Sequence, residues 1–161
     1  MMINLDNTII HNIFISEDHN FYGHHGKAPG TTPMVEVDEV ICEAGKGIVG
    51  DRFHNYKEDY KGQITFFSLE VYNDISATFE IENLSPSAFR RNVIISGIDL
   101  NSLIDNEFKL QGINFLGTQE AAPCYWMNGA IAEGAEEAMK GRGGLRAKIL
   151  TNGRLKKSPE G

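Results

Sequence analysis

"EFKLQGINFLGTQ", Glu107 to Gln119, places two short extended runs on either side of a Gln-Gly pair and reads as a β-hairpin. The rest of the chain repeats that style. Seventeen glycines are spread widely and gather at turn-like sites, "GKAPG", "EAGKGIVGD", "GRGG" and "TNG". Between them Ile9–Ser16, Val35–Cys42, Gln63–Ser68, "NVIIS" and "LRAKILTNG" read as strands. Ser68 can cap a helix running to about Glu80, with Leu69, Tyr72, Ile75 and Phe79 on one face. Ser85-Pro86 is a second helix start. "CYWMNGAIAEGAEEAMKG" is expected to be helical from near Cys124 until Gly141. Helices do not alternate regularly with strands. The expected fold is therefore mostly β, a closed or half-closed barrel with two or three helices, and not a layered α/β sheet.

Composition bounds what such a domain does. With 161 residues, 41% hydrophobic and 23% charged, the chain reads as a single domain over 1–161 with a core of its own. No apolar run is long enough to span a membrane, and "MMINLDNTII" does not resemble a signal peptide, so a cytoplasmic location is expected. The formal charge of −7 argues against general nucleic-acid binding. It leaves room for a small anionic ligand held by a local basic pocket.

Five groups of residues are candidates for chemistry. Cys124 follows Pro123, and at the start of a helix a thiolate gains from unpaired N–H groups and the helix dipole. Such a sulfur suits a soft metal or a persulfide, and simple packing is the competing reading. Cys42, ending "VEVDEVIC", reads as structural, and a disulfide between the two is not expected. "GIVGDRFHN" brings Asp51, Arg52 and His54 together after two glycines, against the plainer reading of a turn with a solvated arginine. "FRRNVII" sets Arg90, Arg91 and Asn92 ahead of a buried-looking strand, or is a surface charge pair. "GRGGLR" offers Arg142 beside glycine N–H groups, the makings of an anion nest. "DHNFYGHHGKAPG" holds His19, His24, His25 and Lys27; it lacks a zinc-protease pattern and fits a loop lining the same pocket, or a plain surface loop.

Taken in order, "GIVGDRF", "GQITFFSLEVY", "FRRNVIISGIDLNSLIDNEFKLQG", "PC" and "GRGGLRAKILTNG" resemble the MOSC domain of molybdenum cofactor sulfurases, amidoxime-reducing components and stand-alone bacterial proteins. The resemblance runs from about Lys27 to Gly153. It implies a β-barrel with a pocket for the molybdenum cofactor, an anionic pterin phosphate, and carries molybdenum-ion and pyridoxal-phosphate binding as family terms. It makes Cys124 the key thiol, as persulfide carrier or molybdenum ligand. It implies that Arg52, Arg90, Arg91 and Asn92 hold the phosphate and pterin and that His54 is a polar group and proton donor there; Lys27, Asp51 and Arg142, from the motifs above, are expected to line the same pocket. The expected activity is sulfur handling, or reduction of N-hydroxylated substrates at molybdenum, with a sulfur donor or an electron-transfer protein as partner. Neither the N-terminal extension nor the ferredoxin-like module of the reducers is expected here. The alternative is a non-enzymatic binding module for another anionic small molecule or partner.

Overall fold

A computed structural model describes residues 2–18 and 33–160. The strands are β1 (Ile3–Asn4), β2 (Ile9–Ile15), β3 (Val35–Val37), β4 (Glu39–Glu43), β5 (Gly47–Ile48), β6 (Ile64–Ser68), β7 (Val93–Ser96), β8 (Glu107–Leu110), β9 (Ile113–Glu120), β10 (Leu145–Ile149) and β11 (Gly153–Lys156). The helices are α1 (Leu69–Thr78), α2 (Trp126–Ala130) and α3 (Ala135–Ala138), with 3-10 turns at Pro86–Phe89 and Leu100–Leu103.

The hairpin is as expected. Phe108 faces Phe115 and Leu110 faces Ile113 across β8 and β9. Gln111 and Gly112 both have positive φ, 52° and 78°, the pairing that a two-residue turn of matching twist requires. Phe108 stacks on Phe115 at 5.3 Å, and Phe66 of β6 meets both rings edge-on. Packing of that kind fixes the register of the sheet.

Among the described residues eight strands form one sheet in the order β1-β8-β9-β10-β6-β7-β2-β3, and β11-β4-β5 form another. Among these residues the larger ladder ends at β1 and β3 and does not close on itself, so of the closed or half-closed barrel expected, the closed form is corrected. The long strand expected over Val35–Cys42 is two strands, because the chain leaves one sheet at Asp38 and enters the other. The result is mostly β with three helices.

Two cores follow from strand alternation. Ile64 and Phe66 of β6, with Val93 and Ile95 of β7, point into a cluster shared with Val40, Cys42 and Leu155 of the small sheet. Phe67 and Ile94, the alternate positions, point the other way, into a cluster with Phe89, Ile75, Met127 and Met139. Strands β6 and β7 are parallel and buried on both faces, so they read as continuous apolar runs. Helix α1 makes the crossover between them. Ser68 caps it, its hydroxyl accepting from the Val71 N–H at 3.2 Å. Ser68→Ala is expected to cost about 1 kcal/mol in denaturant unfolding, with the fold retained.

The single helix expected from Cys124 to Gly141 is two short ones. Gly134 sits at φ +91°, and Ile131 leaves regular helical geometry. The break lets Met127 and Met139 reach the same cluster, and the Asn128 side chain accepts from the Glu136 N–H to hold the pair. Cys124 lies ahead of the Tyr125 cap and outside the first turn of α2. A five-residue helix that starts beyond the cysteine gives its sulfur no dipole support, which corrects that part of the sequence reading.

Candidate functional site

The Gly-Asp-Arg element turns directly under the end of β2. Gly50 takes φ +90°, and Asp51 is buried with one carboxylate oxygen accepting from the Ser16 N–H and from Arg52 Nη1, both at 3.0 Å. Its other oxygen accepts from the Phe53 N–H. Arg52 leaves 7% of its side chain exposed and donates through Nη2 to the Arg90 carbonyl at 3.1 Å. Burial pulls its pKa down, and the Asp51 carboxylate works against that. Arg90 ends the Pro86–Phe89 turn in the left-handed region, φ 54°, and reaches Ser16 Oγ and the Asp18 carbonyl. Its pKa falls to about 10, first by burial and then by the neighbouring Arg52. Asp51, Arg52 and Arg90 are thus one buried cluster.

Asn92 and Arg91 sit beside it with different partners. Asn92 is buried, accepts from the Thr65 N–H and hydroxyl, and donates to the Phe14 carbonyl, so its side chain stitches β6 to β2. Arg91 donates to three backbone carbonyls: Gly143 at 3.0 Å, Phe89 at 3.1 Å and Ala121 at 2.9 Å. Burial lowers its pKa to about 10; Arg52 and Arg146 push the same way, while Cys124 and Glu120 oppose. Arg91 therefore feels both the thiol and two other arginines.

Arg146 is the residue that the sequence reading passed over. It lies on β10 opposite Thr65 of β6 and Gln119 of β9, on the outward face that alternates with buried Leu145, Ala147 and Ile149. Its guanidinium stands 5.1 Å from the centre of the Tyr60 ring and against the bare backbone of Gly62, where a Cβ would come within 2.7 Å of Nε. No carboxylate pairs with it among the described residues. Tyr60 stacks on Phe53 at 5.4 Å, and Arg52 caps Phe53 at 4.8 Å. Arginine, ring, ring and arginine form one wall. The signal was inside "GRGGLR": in "LRAKI" alternate residues are apolar, which turns Arg146 to the outer face.

The other arginine of that motif goes elsewhere. Arg142 donates to the Ala138 carbonyl and pairs with Asp74 of α1, away from the cluster. The Gly143 N–H donates to Glu120, so the expected anion nest already holds a carboxylate. The glycines serve close approach instead. A Cβ on Gly143 would lie 2.3 Å from the Ala121 carbonyl and 2.8 Å from Pro123 Cδ.

Cys124 is half-buried and packs beside the helical cluster. Tyr125 and Trp126 stack on each other at 4.6 Å, yet Tyr125 is 43% exposed, so Met127 does the inward packing. Cys42 is fully buried, and burial pushes its thiol to about 12, in keeping with a structural role. His54 Nε2 meets Glu43 Oε1 at 2.5 Å beside the small sheet, which gives it an acidic partner of its own. Lys27, His19, His24 and His25 lie outside the described residues.

The described residues contain no group of three or more His, Cys, Asp or Glu side chains able to hold a metal ion, and no helix long and apolar enough to cross a membrane. The arrangement can hold an anion against arginines and aromatic faces near a reachable sulfur.

Solved structures share this architecture. They include the YUAD protein from Bacillus subtilis, 19% identical with a TM-score of 0.73 over 93% of this chain and 92% of that one. YiiM from Geobacillus stearothermophilus is 13% identical with a TM-score of 0.67, covering 92% and 71%. YiiM from Escherichia coli is 16% identical with a TM-score of 0.61, covering 89% of this chain and 65% of that one. No curated protein matches the sequence. The family model that matches is the MOSC domain, over residues 24–157. Spanning most of the sequence, that match means that the chain belongs to the MOSC domain family.

Proposed function

We propose that this protein binds an anionic pterin-type cofactor of the molybdenum class along the Arg52–Phe53–Tyr60–Arg146 wall and that Cys124 is its working thiol. The observation that carries the reading is the stack in which Arg52 covers Phe53, Phe53 lies on Tyr60 and Arg146 covers Tyr60, two cations on one wall in a chain of net charge −7. In this reading the two sheets work as one half-closed barrel, and the wall is where the cofactor would lie.

The residues fit such a group. Arg146 would hold its phosphate, Arg52 would add positive charge from the far side of the ring stack, and Cys124 offers a soft donor. When bound, the cofactor supplies redox chemistry at molybdenum. The chain's own part is to hold the anion, shield it from water with the aromatic wall, and keep Arg90 and Asp51 as a rigid base under Arg52. Asn92 supports this by fixing β6 to β2. Pyridoxal phosphate forms an imine on a lysine, and the cations of this cluster are all guanidinium, so the proposal takes no step through it.

Between the two roles open to the sulfur, the half-exposed position of Cys124 beside exposed Tyr125 favours the carrier. The Cys124 thiolate attacks the outer sulfur of a donor persulfide; a new S–S bond forms on Sγ, the donor S–S bond breaks, and the donor leaves as a thiol. No net oxidation occurs. The enzyme reading has Cys124 as a molybdenum ligand and N-hydroxylated compounds as substrates, with electrons from a partner protein.

Protein purified from a cofactor-producing host separates these. Labile sulfur on Cys124, lost in Cys124→Ser, without stoichiometric retained molybdenum is the expected result. Stoichiometric molybdenum lost in the same variant establishes the enzyme instead. Neither sulfur nor molybdenum, with Arg52→Ala silent in pterin-cofactor titration, leaves the non-enzymatic anion-binding module.

A further inference from the structure

Arg91 differs from its neighbours in where its donors go. Nε, Nη1 and Nη2 reach the carbonyls of Gly143, Phe89 and Ala121, which belong to the loop before β10, the 3-10 turn before β7 and the segment leading to Cys124. Around that three-way junction the backbone is drawn tight. The Ala121 N–H donates to the Gly144 carbonyl at 2.8 Å, and the Gly143 N–H to Glu120 at 3.1 Å. Gly143 lies against Pro123 so closely that no Cβ fits. Gly144, at φ +114°, lies as closely on the Phe66 carbonyl.

We infer that Arg91 is the positioning residue of the thiol: its guanidinium acts as a backbone clamp that fixes the Ala121–Cys124 segment and sets the direction of Cys124 Sγ toward the arginine cluster. The role departs from ligand binding, since the carbonyls already take one donor from each guanidinium nitrogen. Lysine cannot replace it. A single ammonium keeps the charge, but a point donor cannot span three carbonyls set around a planar fork. The inference rests on Cys124 being the working thiol, and its test reads that thiol directly, whatever ligand the protein takes.

The readout is the ratio of Cys124 alkylation rates with iodoacetate and with iodoacetamide, followed by intact mass on the full chain at one pH. Both reagents need the same thiolate, so the ratio is independent of how much thiolate is present and reports only the charge that an approaching anion meets. Buried Cys42 is the internal control, since it reacts only if the protein unfolds. In the native protein the ratio is expected to exceed that of the urea-unfolded chain. In Arg91→Lys it should fall at least about threefold toward the unfolded value although the charge is conserved, with Cys42 still protected. Gly143→Ala, which pushes the same segment without touching any charge, should lower it too.

An unchanged ratio in Arg91→Lys overturns the clamp and leaves Arg91 as a plain cation. Reactive Cys42 in Arg91→Lys overturns it as well, because the residue would then hold the whole fold and not the segment. Loss of labile sulfur or metal from the purified protein, with the native ratio intact, strikes the functional reading and leaves this one standing.

Discussion

Gly144→Ala is expected to lower the stability of the protein by about 3 kcal/mol or more, measured by urea unfolding, with most of the loss arising at the site. Gly144 takes φ +114°, a conformation that L side chains rarely adopt, and strain of that kind costs about 1–3 kcal/mol by itself. A Cβ there would lie 2.4 Å from the Phe66 carbonyl and 3.4 Å from Arg91 Nε. The first contact is with backbone in the middle of the larger sheet, so no side chain can swing aside. Relief requires the loop to lift from β6, which breaks the Ala121–Gly144 hydrogen bond and loosens the Arg91 clamp. Overpacking of this sort adds about 1–3 kcal/mol. A loss within about 0.5 kcal/mol of zero would falsify the requirement for glycine.

That position illustrates how far the sequence can be read. "GRGGLR" was legible as a glycine-flanked arginine, and the anion-nest reading followed from the rule that glycine N–H groups face a ligand. The structure uses the glycines for a different freedom, the close approach of two backbones, which depends on Phe66 and Pro123 from elsewhere in the chain. Sequence spacing carries no information about such contacts. The same limit appears at Arg91 and Asn92. Both were legible as polar residues before a buried strand, but only the fold decides that their donors meet Ala121, Gly143 and Phe14 carbonyls.

Local elements were clearer because their determinants are local. The Ser68 and Ser85 caps, the Gln111-Gly112 turn and the strand at 64–68 each depend on a few consecutive residues. The helix expected from Cys124 failed because propensity over "AIAEGAEEAMKG" outweighed Gly134 in the reading. In the fold, burial of Met127 with Met139 decides, and it favours the break. The strands missed, β1, β5 and β11, are two to four residues long; β1 and β11 are held by distant partners, and β5 by a tight hairpin with β4 that was read as a turn. Whether a sheet closes is likewise a long-range property, and the change of sheet at Asp38 leaves no mark in the sequence.

Arg146→Gln should separate binding from stability more sharply than any other change in the cluster. Its guanidinium has no acidic partner among the described residues, so its removal breaks no ion pair there. What is lost is its contact with the Tyr60 ring, about 0.5–1 kcal/mol at a partly exposed site. What is gained is relief of the repulsion that Arg146 exerts on buried Arg91. The two oppose each other, and stability is expected to stay within about 0.5 kcal/mol of the native protein. Binding has no such offset. A charge-assisted hydrogen bond to an anion contributes about 1.5–3 kcal/mol, so affinity for a phosphate-bearing pterin should fall about tenfold to a hundredfold. The two effects are read together by thermal unfolding with and without that ligand. The native protein should be stabilised by it, and the variant should melt where the native protein does without ligand and gain little on its addition. Equal ligand stabilisation in both proteins removes Arg146 from the binding wall. A large loss of stability without ligand shows instead that the cation supports the fold, because an arginine kept for binding contributes nothing to the free protein that repulsion does not take away.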